Sequence, residues 1–185
     1  RILSDWNDVK HRFLVLRKTL PSAKESTFTL LKNYIDLWNI GPFIKSITVN
    51  PVCFTFTNGS EILIRGLDMP EKVKSIEAIT SMWLEEANQF SQEDFDELDR
   101  RLRGNLGTYK QMAISFNPVS RYNWLYKTFF VKPKDNATLH HSTFKDNKFI
   151  QQDADYLRVL EQYKNSINNY NYYYLGLLLS YLDQN

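Results

Sequence analysis

The sequence predicts an α/β fold, with three layers and a mostly parallel central sheet carrying one inserted β-hairpin. Three observations predict it. Short apolar runs alternate with stretches whose apolar residues recur at three- and four-residue steps, the pattern of strands interleaved with helices. Asn58-Gly59 lies between two such runs, the strongest short hairpin signal. The run Ile79 to Ala87 ends in two adjacent carboxylates, Glu85 and Glu86, where a core strand would deliver them to the ligand-binding edge of an open sheet.

Taken in order, Arg1 to Asn7 reads as the tail of a helix, and Arg12 to Arg17 as a strand with an apolar middle. Ser22-Ala23-Lys24-Glu25 has capping-box spacing, so a helix is expected to follow on Phe28, Leu31, Ile35 and Trp38. Asn39-Ile40-Gly41-Pro42 ends it. Ile44 to Val49 is the next strand. Val52 to Thr57 and Glu61 to Arg65 flank Asn58-Gly59, and Glu71 to Ile76 is a lysine-bearing connection.

Ser91-Gln92-Glu93-Asp94 starts a second helix, striped by Phe95, Leu98 and Leu102 and ended by Gly104. Gln111 to Phe116 is a strand closed by Asn117-Pro118. Tyr122 to Lys127 suits a short helix or a turn, and Phe129 to Val131 reads as extended before Pro133. Leu139 to Phe144 reads as a strand and Asp155 to Lys164 as a helix. The tyrosine-rich tail after Asn168 leads to an apolar end that suits a C-terminal helix or the product of a disrupted gene.

Bulk properties exclude several classes. At 185 residues the chain is one domain or one domain with a small appendage. No run approaches the ~20 apolar residues of a membrane helix, and the first residues have no apolar signal core. The absence of an initiator Met suggests a fragment or a processed chain. A net charge of +2 leaves any nucleic-acid contact to local patches. The single cysteine, Cys53, forms no intrachain disulfide, reads as a core residue, and fits a reducing compartment.

Two neighbouring carboxylates at a strand end have two natural tasks. One helps hold Mg²⁺ near a nucleotide; the other orients or deprotonates a water. The same pair also suits an acidic helix start. Periodicity alone does not separate a strand from a buried helix segment in Ile79 to Ala87. If the Gln111–Phe116 strand runs parallel to it, Asn117 arrives at the same edge; taken alone, Asn117-Pro118 reads as a plain turn. Arg65, Arg101 and Arg103, with Arg17 behind them, are candidates for completing a phosphoryl-transfer site, and each equally suits an ordinary surface contact. Arg121, Lys127, Lys132, Lys134 and Lys145 lie among Tyr122, Trp124, Phe129 and Phe130, a pattern that suits phosphate contacts or a solvated loop. His11, His140 and His141 supply no catalytic arrangement.

Trp83-Leu84-Glu85-Glu86-Ala87-Asn88, then Phe95, Leu98 and Arg101-Leu102-Arg103, then Ser115-Phe116-Asn117-Pro118 with Trp124 behind, resemble the large subunit of tailed-phage terminases of the PBSX type. Leu16-Arg17-Lys18, Asn58-Gly59-Ser60, Ile64 to Asp68, Lys72, Lys74-Ser75 and Thr143 to Asn147 agree in order, so the resemblance spans roughly Arg1 to Lys164.

The resemblance implies the ATPase motor domain of a viral DNA-packaging enzyme, a P-loop NTPase of the ASCE type that a nuclease domain follows. It implies that Glu85 is the Walker B acid on Mg²⁺, that Glu86 activates water, and that Ser115, Phe116 and Asn117 form the coupling motif. ATP and Mg²⁺ are the implied cofactors. Double-stranded DNA, a portal protein, a small terminase subunit and further copies in a ring are the implied partners, in the cytoplasm of a bacterial host with no membrane role.

The sequence departs from the family in two respects: the phosphate loop is not found, so an open groove is expected where that loop belongs, and the nuclease domain is not found. It contains no G-x-x-x-x-G-K-[ST] phosphate loop. The expected organisation is therefore an incomplete motor domain over 1–165 and an unassigned extension over 166–185, starting after the phosphate cradle and stopping before the nuclease. Such a chain alone is expected neither to bind ATP tightly nor to hydrolyse it. A non-enzymatic remnant that keeps the fold, or a helicase-type P-loop ATPase, are the alternative readings.

Overall fold

A computed structural model describes residues 1–68, 73, 75–104, 106–117, 122–131, 134–163 and 177–183; for 141, 144, 160–163 and 177–183 the backbone alone is described. Within them lies one eight-stranded sheet of order β2-β3-β4-β1-β5-β6-β8-β7. The strands are β1 (Arg12–Arg17), β2 (Ile44–Val49), β3 (Val52–Phe56), β4 (Glu61–Gly66), β5 (Ser81–Glu85), β6 (Lys110–Phe116), β7 (Ala137–His141) and β8 (Leu177–Asp183).

The four central strands β4, β1, β5 and β6 run parallel, with Leu14 opposite both Leu63 and Met82, and Leu84 opposite Ile114. Burial on both faces explains why β1 is apolar through its middle: Leu14, Val15 and Leu16 are all buried. Antiparallel strands flank this centre on both sides. The β3–β4 hairpin turns at Asn58-Gly59, where Gly59 has φ +86°, a left-handed conformation that costs glycine little. β2 pairs antiparallel with β3 as a second hairpin, and β8 with β6 and β7.

Helices cover the two faces unequally. One face carries α1 (Leu20–Ala23), a π-helical turn (Lys24–Phe28) and α2 (Thr29–Leu37), which press Ala23, Phe28, Leu31 and Ile35 onto Val15, Phe54 and Ile64. The other carries α3 (Gln92–Asp99), whose Phe95 and Leu98 join Phe90, Leu125 and Phe129 over Leu16, Leu84, Met112 and Ile114. Ser91 caps α3 in a capping box: its hydroxyl accepts from Asp94 N–H and the Asp94 carboxylate accepts from Ser91 N–H. The indole N–H of Trp124 donates to Phe90 O at 2.7 Å and ties the 122–131 segment to the loop after β5. A last helix, α4, spans Ala154–Tyr163.

Four expectations are corrected. The first helix begins at Leu20, not after Ser22: Thr19 is its N-cap, Pro21 occupies the first turn, and the serines lie inside the helix. Phe129 to Val131 belongs to a π-helical turn, Tyr126–Val131, because Phe129 is drawn into the core beside Phe95. The Leu139–Phe144 strand is Ala137–His141, followed by a 3₁₀ turn at Phe144–Asp146. The apolar end over Leu177–Asp183 is strand, not helix, since its backbone completes the outer edge of β6. Pro118, Lys72, Lys74 and the tyrosine-rich stretch lie outside the described residues.

Candidate functional site

Parallel strands deliver their carboxyl ends to one edge of the sheet. Here that edge receives Gly66, Arg17, Glu85 and Phe116 from four adjacent strands, with Arg17 opposite Gly66 and Glu85 opposite Ser115. Asn117 follows Phe116 directly, half-buried. The structure therefore brings Glu85, Glu86, Ser115, Phe116 and Asn117 to the same edge.

Consecutive strand residues point to opposite faces, so Glu85 and Glu86 would diverge if β5 continued. They do not diverge, because Glu86 leaves the strand in a left-handed conformation (φ 55°, ψ 47°) and opens the 3₁₀ turn Ala87–Gln89. For a residue with a Cβ this costs about 1–2 kcal/mol. The turn brings both carboxylates to one guanidinium: Arg17 Nε lies 3.0 Å from Glu85 Oε2, and Arg17 Nη2 lies 3.6 Å from Glu86 Oε1. The Nε–H is not aligned with an acceptor, so this contact is ionic rather than a hydrogen bond.

Arg17 is held on its other side. Nη1 donates to Ser26 Oγ at 3.0 Å and to Ser22 O at 3.3 Å. Ser26 Oγ lies 3.0 Å from both Glu85 Oε2 and Ser22 O. One step along the edge, Lys18 Nζ donates to Asp94 Oδ2 at 2.8 Å. Burial is the largest single influence on Asp94 and opposes ionisation; the Lys18 hydrogen bond and the Ser91 N–H together outweigh it and hold the carboxyl below its ordinary value.

The coupling-motif candidates divide between the faces. Ser115 Oγ accepts from the Trp83 indole N–H at 2.9 Å, on the face of Arg17 and Glu85. Phe116 is buried in the core of the opposite face with Leu84, Ala87 and Phe90.

Other sequence candidates fall away from this edge. Arg65 donates to Val52 O and Ile64 O, both at 2.7 Å, and burial pushes its guanidinium below the ordinary value. Arg101 pairs with Glu97 on α3, and Arg103 is exposed. Cys53 is buried, and burial pushes its thiol up. Lys127 is exposed beside Tyr122 and Tyr126, whereas Arg121 and Lys132 lie outside the described residues.

A cleft lined by Leu67, Val73, Asp94 and Arg101 and another lined by Thr143, Asn147, Phe149 and Tyr156 also miss the carboxylates. The outer edge of β6 is paired with β8. Arg17 was legible as the basic end of a strand and as a reserve candidate behind Arg65, Arg101 and Arg103, not as the partner of both carboxylates. Ser26 carried no signal, because nothing in the sequence shows a π-helical turn.

A divalent cation can be tested against these donors. Mg²⁺ is commonly held by one or two carboxylates plus substrate phosphates rather than by an all-protein cage. Glu85 and Glu86 fit that mode, and among the described residues no larger group of His, Cys, Asp or Glu is gathered. The phosphate side does not fit within this chain, which has no phosphate loop. No helix of the described residues is long and apolar enough to cross a membrane.

Comparison with known proteins gives the lineage. The sequence profile described as "Phage terminase large subunit" matches residues 2–177. The PBSX phage terminase large subunit of Bacillus subtilis (strain 168) is 31% identical over 174 residues, covering 84% of this chain and 39% of that protein. The terminase large subunit of Bacillus phage SPP1 is 31% identical over 153 residues, covering 76% and 36%. The chain thus spans well under half the length of these curated relatives.

In shape it is similar to the large terminase of a thermophilic bacteriophage, with a TM-score of 0.56 at 15% identity over 70% of this chain and 32% of that one. A crystal form of the same terminase in complex with ADP gives 0.51 at 15% identity, over 68% and 31%. Profile and relatives agree, and the chain belongs to the phage terminase large subunit family.

Proposed function

We propose that this chain carries the carboxylate half of the ATP-hydrolysing site of a viral DNA-packaging motor. Glu85 is the metal carboxylate, Glu86 positions and activates the attacking water, and Ser115, Phe116 and Asn117 transmit the state of the site into the sheet. The single observation that supports this best is the left-handed turn at Glu86, which aims both carboxylates at one point on the carboxyl edge of parallel strands. Strain of this kind concentrates at functional sites.

The chain's own residues would do three things. Glu85 would offer oxygen to Mg²⁺, which when bound would neutralise charge on the phosphates. Glu86 would accept a proton from water. The Trp83–Ser115 bond would register β6, and with it Asn117, against β5. The thermophilic phage's terminase was captured with ADP, and nucleotide binding by the intact motor is the corresponding proposal here. In this reading duplex DNA, a portal protein, a small subunit and other copies of the motor are partners of the whole protein. The helix-borne phosphate loop is the part not found in this sequence, so calorimetry on the 185 residues is expected to show no micromolar ATP affinity.

The decisive test restores a phosphate loop. In a chimera, the part of this chain that aligns with the PBSX large subunit replaces its counterpart in that protein, and ATP turnover is measured. A general base contributes about 10²–10⁴-fold, so Glu86→Gln should lower turnover by at least that lower bound. Turnover by Glu86→Gln at the rate of the unsubstituted chimera would overturn the assignment.

A further inference from the structure

Arg17 makes contacts through all three of its nitrogens. Nε and Nη2 face Glu85 and Glu86, while Nη1 is tied to Ser26 Oγ and Ser22 O. Its side chain is 15% exposed, and those of Glu85 and Glu86 are 20% and 31% exposed, so solvent screens this cluster only in part. A guanidinium placed here crowds the carboxylate oxygens that a cation would need. It also puts a positive charge where a second one would have to enter.

Ser26 has one hydroxyl proton and two acceptors at 3.0 Å, Ser22 O and Glu85 Oε2. It can serve only one at a time. The wide turn of the π-helical segment Lys24–Phe28 is what sets this hydroxyl between helix and strand. If Glu85 turns away, Ser26 keeps a bond by donating to Ser22 O, and Arg17 keeps its Nη1 bonds to the helix. The clasp can therefore open without orphaning a buried donor on the helix side.

We propose that Arg17 and Ser26 are positioning residues that hold the carboxylate pair closed to divalent cations, and that cation binding requires Glu85 and Glu86 to turn away from the Arg17 guanidinium. This rests on the reading of Glu85 as the metal carboxylate. It adds an ordering that the reading alone does not contain: the arginine on β1 gates the pair on β5.

The test is Mn²⁺ binding to the 185-residue chain, followed by the electron paramagnetic resonance signal of free Mn²⁺ and by displacement with Mg²⁺. Circular dichroism confirms that each variant is folded. Arg17→Gln, which removes the charge, should bind Mn²⁺ at least several-fold more tightly than the parent. Ser26→Ala should shift affinity the same way by less, and Arg17→Lys, which keeps the charge, should stay near the parent. Adding Glu85→Gln to Arg17→Gln should abolish the gained binding.

Glu85-dependent binding that is as tight in the parent as in Arg17→Gln would overturn the gate and leave the metal reading standing. Absence of any Glu85-dependent binding in every variant would overturn the metal reading, and the gate with it. Were Arg17→Gln unfolded, a parent-like affinity in Ser26→Ala together with a large gain in Arg17→Lys would refute the proposal, because charge would then not be what closes the pair.

Discussion

The Trp83 indole N–H donates to the Ser115 hydroxyl at 2.9 Å, a side-chain bond spanning two neighbouring parallel strands. It fixes β6 against β5 at the step that also aligns Glu85 with Ser115. Ser115→Ala leaves the indole donor half-buried without its partner. The expected loss is about 1 kcal/mol, read from urea unfolding followed by tryptophan fluorescence. An unchanged midpoint would mean that water replaces the hydroxyl.

Left-handed backbone at residues with a Cβ should be relieved by glycine. Ala78 (φ 57°) leads into β5 and Glu86 (φ 55°) leaves it. Ala78→Gly should raise stability by up to ~1 kcal/mol, since relief of about 1–2 kcal/mol is partly offset by the entropy of the unfolded glycine. Glu86→Gly should gain less, because it also gives up the contact with Arg17. A destabilising Ala78→Gly, measured by thermal unfolding, would contradict this backbone assignment.

Gly66 sits at the carboxyl end of β4, opposite Arg17. A Cβ there would collide with Leu20 N and, at 2.6 Å, Thr19 C in the turn that follows Arg17 and Lys18, and with Asp68 Oδ1 in the loop after β4. Two of these are backbone atoms, which cannot swing aside. Gly66→Ala should cost about 1–3 kcal/mol and should displace Arg17 from the carboxylates. The second effect is visible as altered Mn²⁺ affinity in a variant that remains folded.

His11 predicts a pH dependence. It is buried, with Nε2 2.9 Å from Asp5 Oδ2 and Nδ1 3.3 Å from Thr80 Oγ1. Burial is the largest influence and pushes the imidazole below its ordinary 6.5; the hydrogen bond with Asp5 opposes this only in part. As pH falls, the unfolded chain takes up this proton first. The stability due to neutral His11 is therefore full above 6.5 and erodes as pH drops from there through the lower folded value. Unfolding free energy should decline in that window by at most ~1.4 kcal/mol per pH unit for one proton. His11→Gln should flatten the slope, and an equal slope in both proteins would exclude the histidine as its source.

What could be read in advance depended on how locally each feature is encoded. β1 was legible because two-faced burial demands a continuous apolar run, β6 because Met112, Ile114 and Phe116 alternate along one face, and the Asn58-Gly59 hairpin because its turn restricts residue type. The convergence of Glu85 and Asn117 on one edge followed once parallel pairing was assumed. The clasp was not legible. It joins Arg17 on β1 to Glu85 and Glu86 nearly seventy residues later, through a register and a π-helical turn that leave no pattern of their own. Local signals also misled at Ser22, whose capping spacing is outweighed by Thr19-Leu20-Pro21. At Phe129 to Val131 the pull of a core aromatic cluster decides the backbone.

The order of strands has a consequence in time. β1 pairs only with β4 and β5, so Leu14 waits for Leu63 on one side and Met82 on the other. A ribosome adding roughly 5–20 residues per second leaves both edges of this apolar strand bare for several seconds. The β2–β3–β4 meander, made of neighbours in sequence, is complete before β1 can join it. The earliest of the described strands is thus inserted into the middle of the sheet, and through that interval its Phe13-Leu14-Val15-Leu16 run is exposed to pairing with another nascent chain.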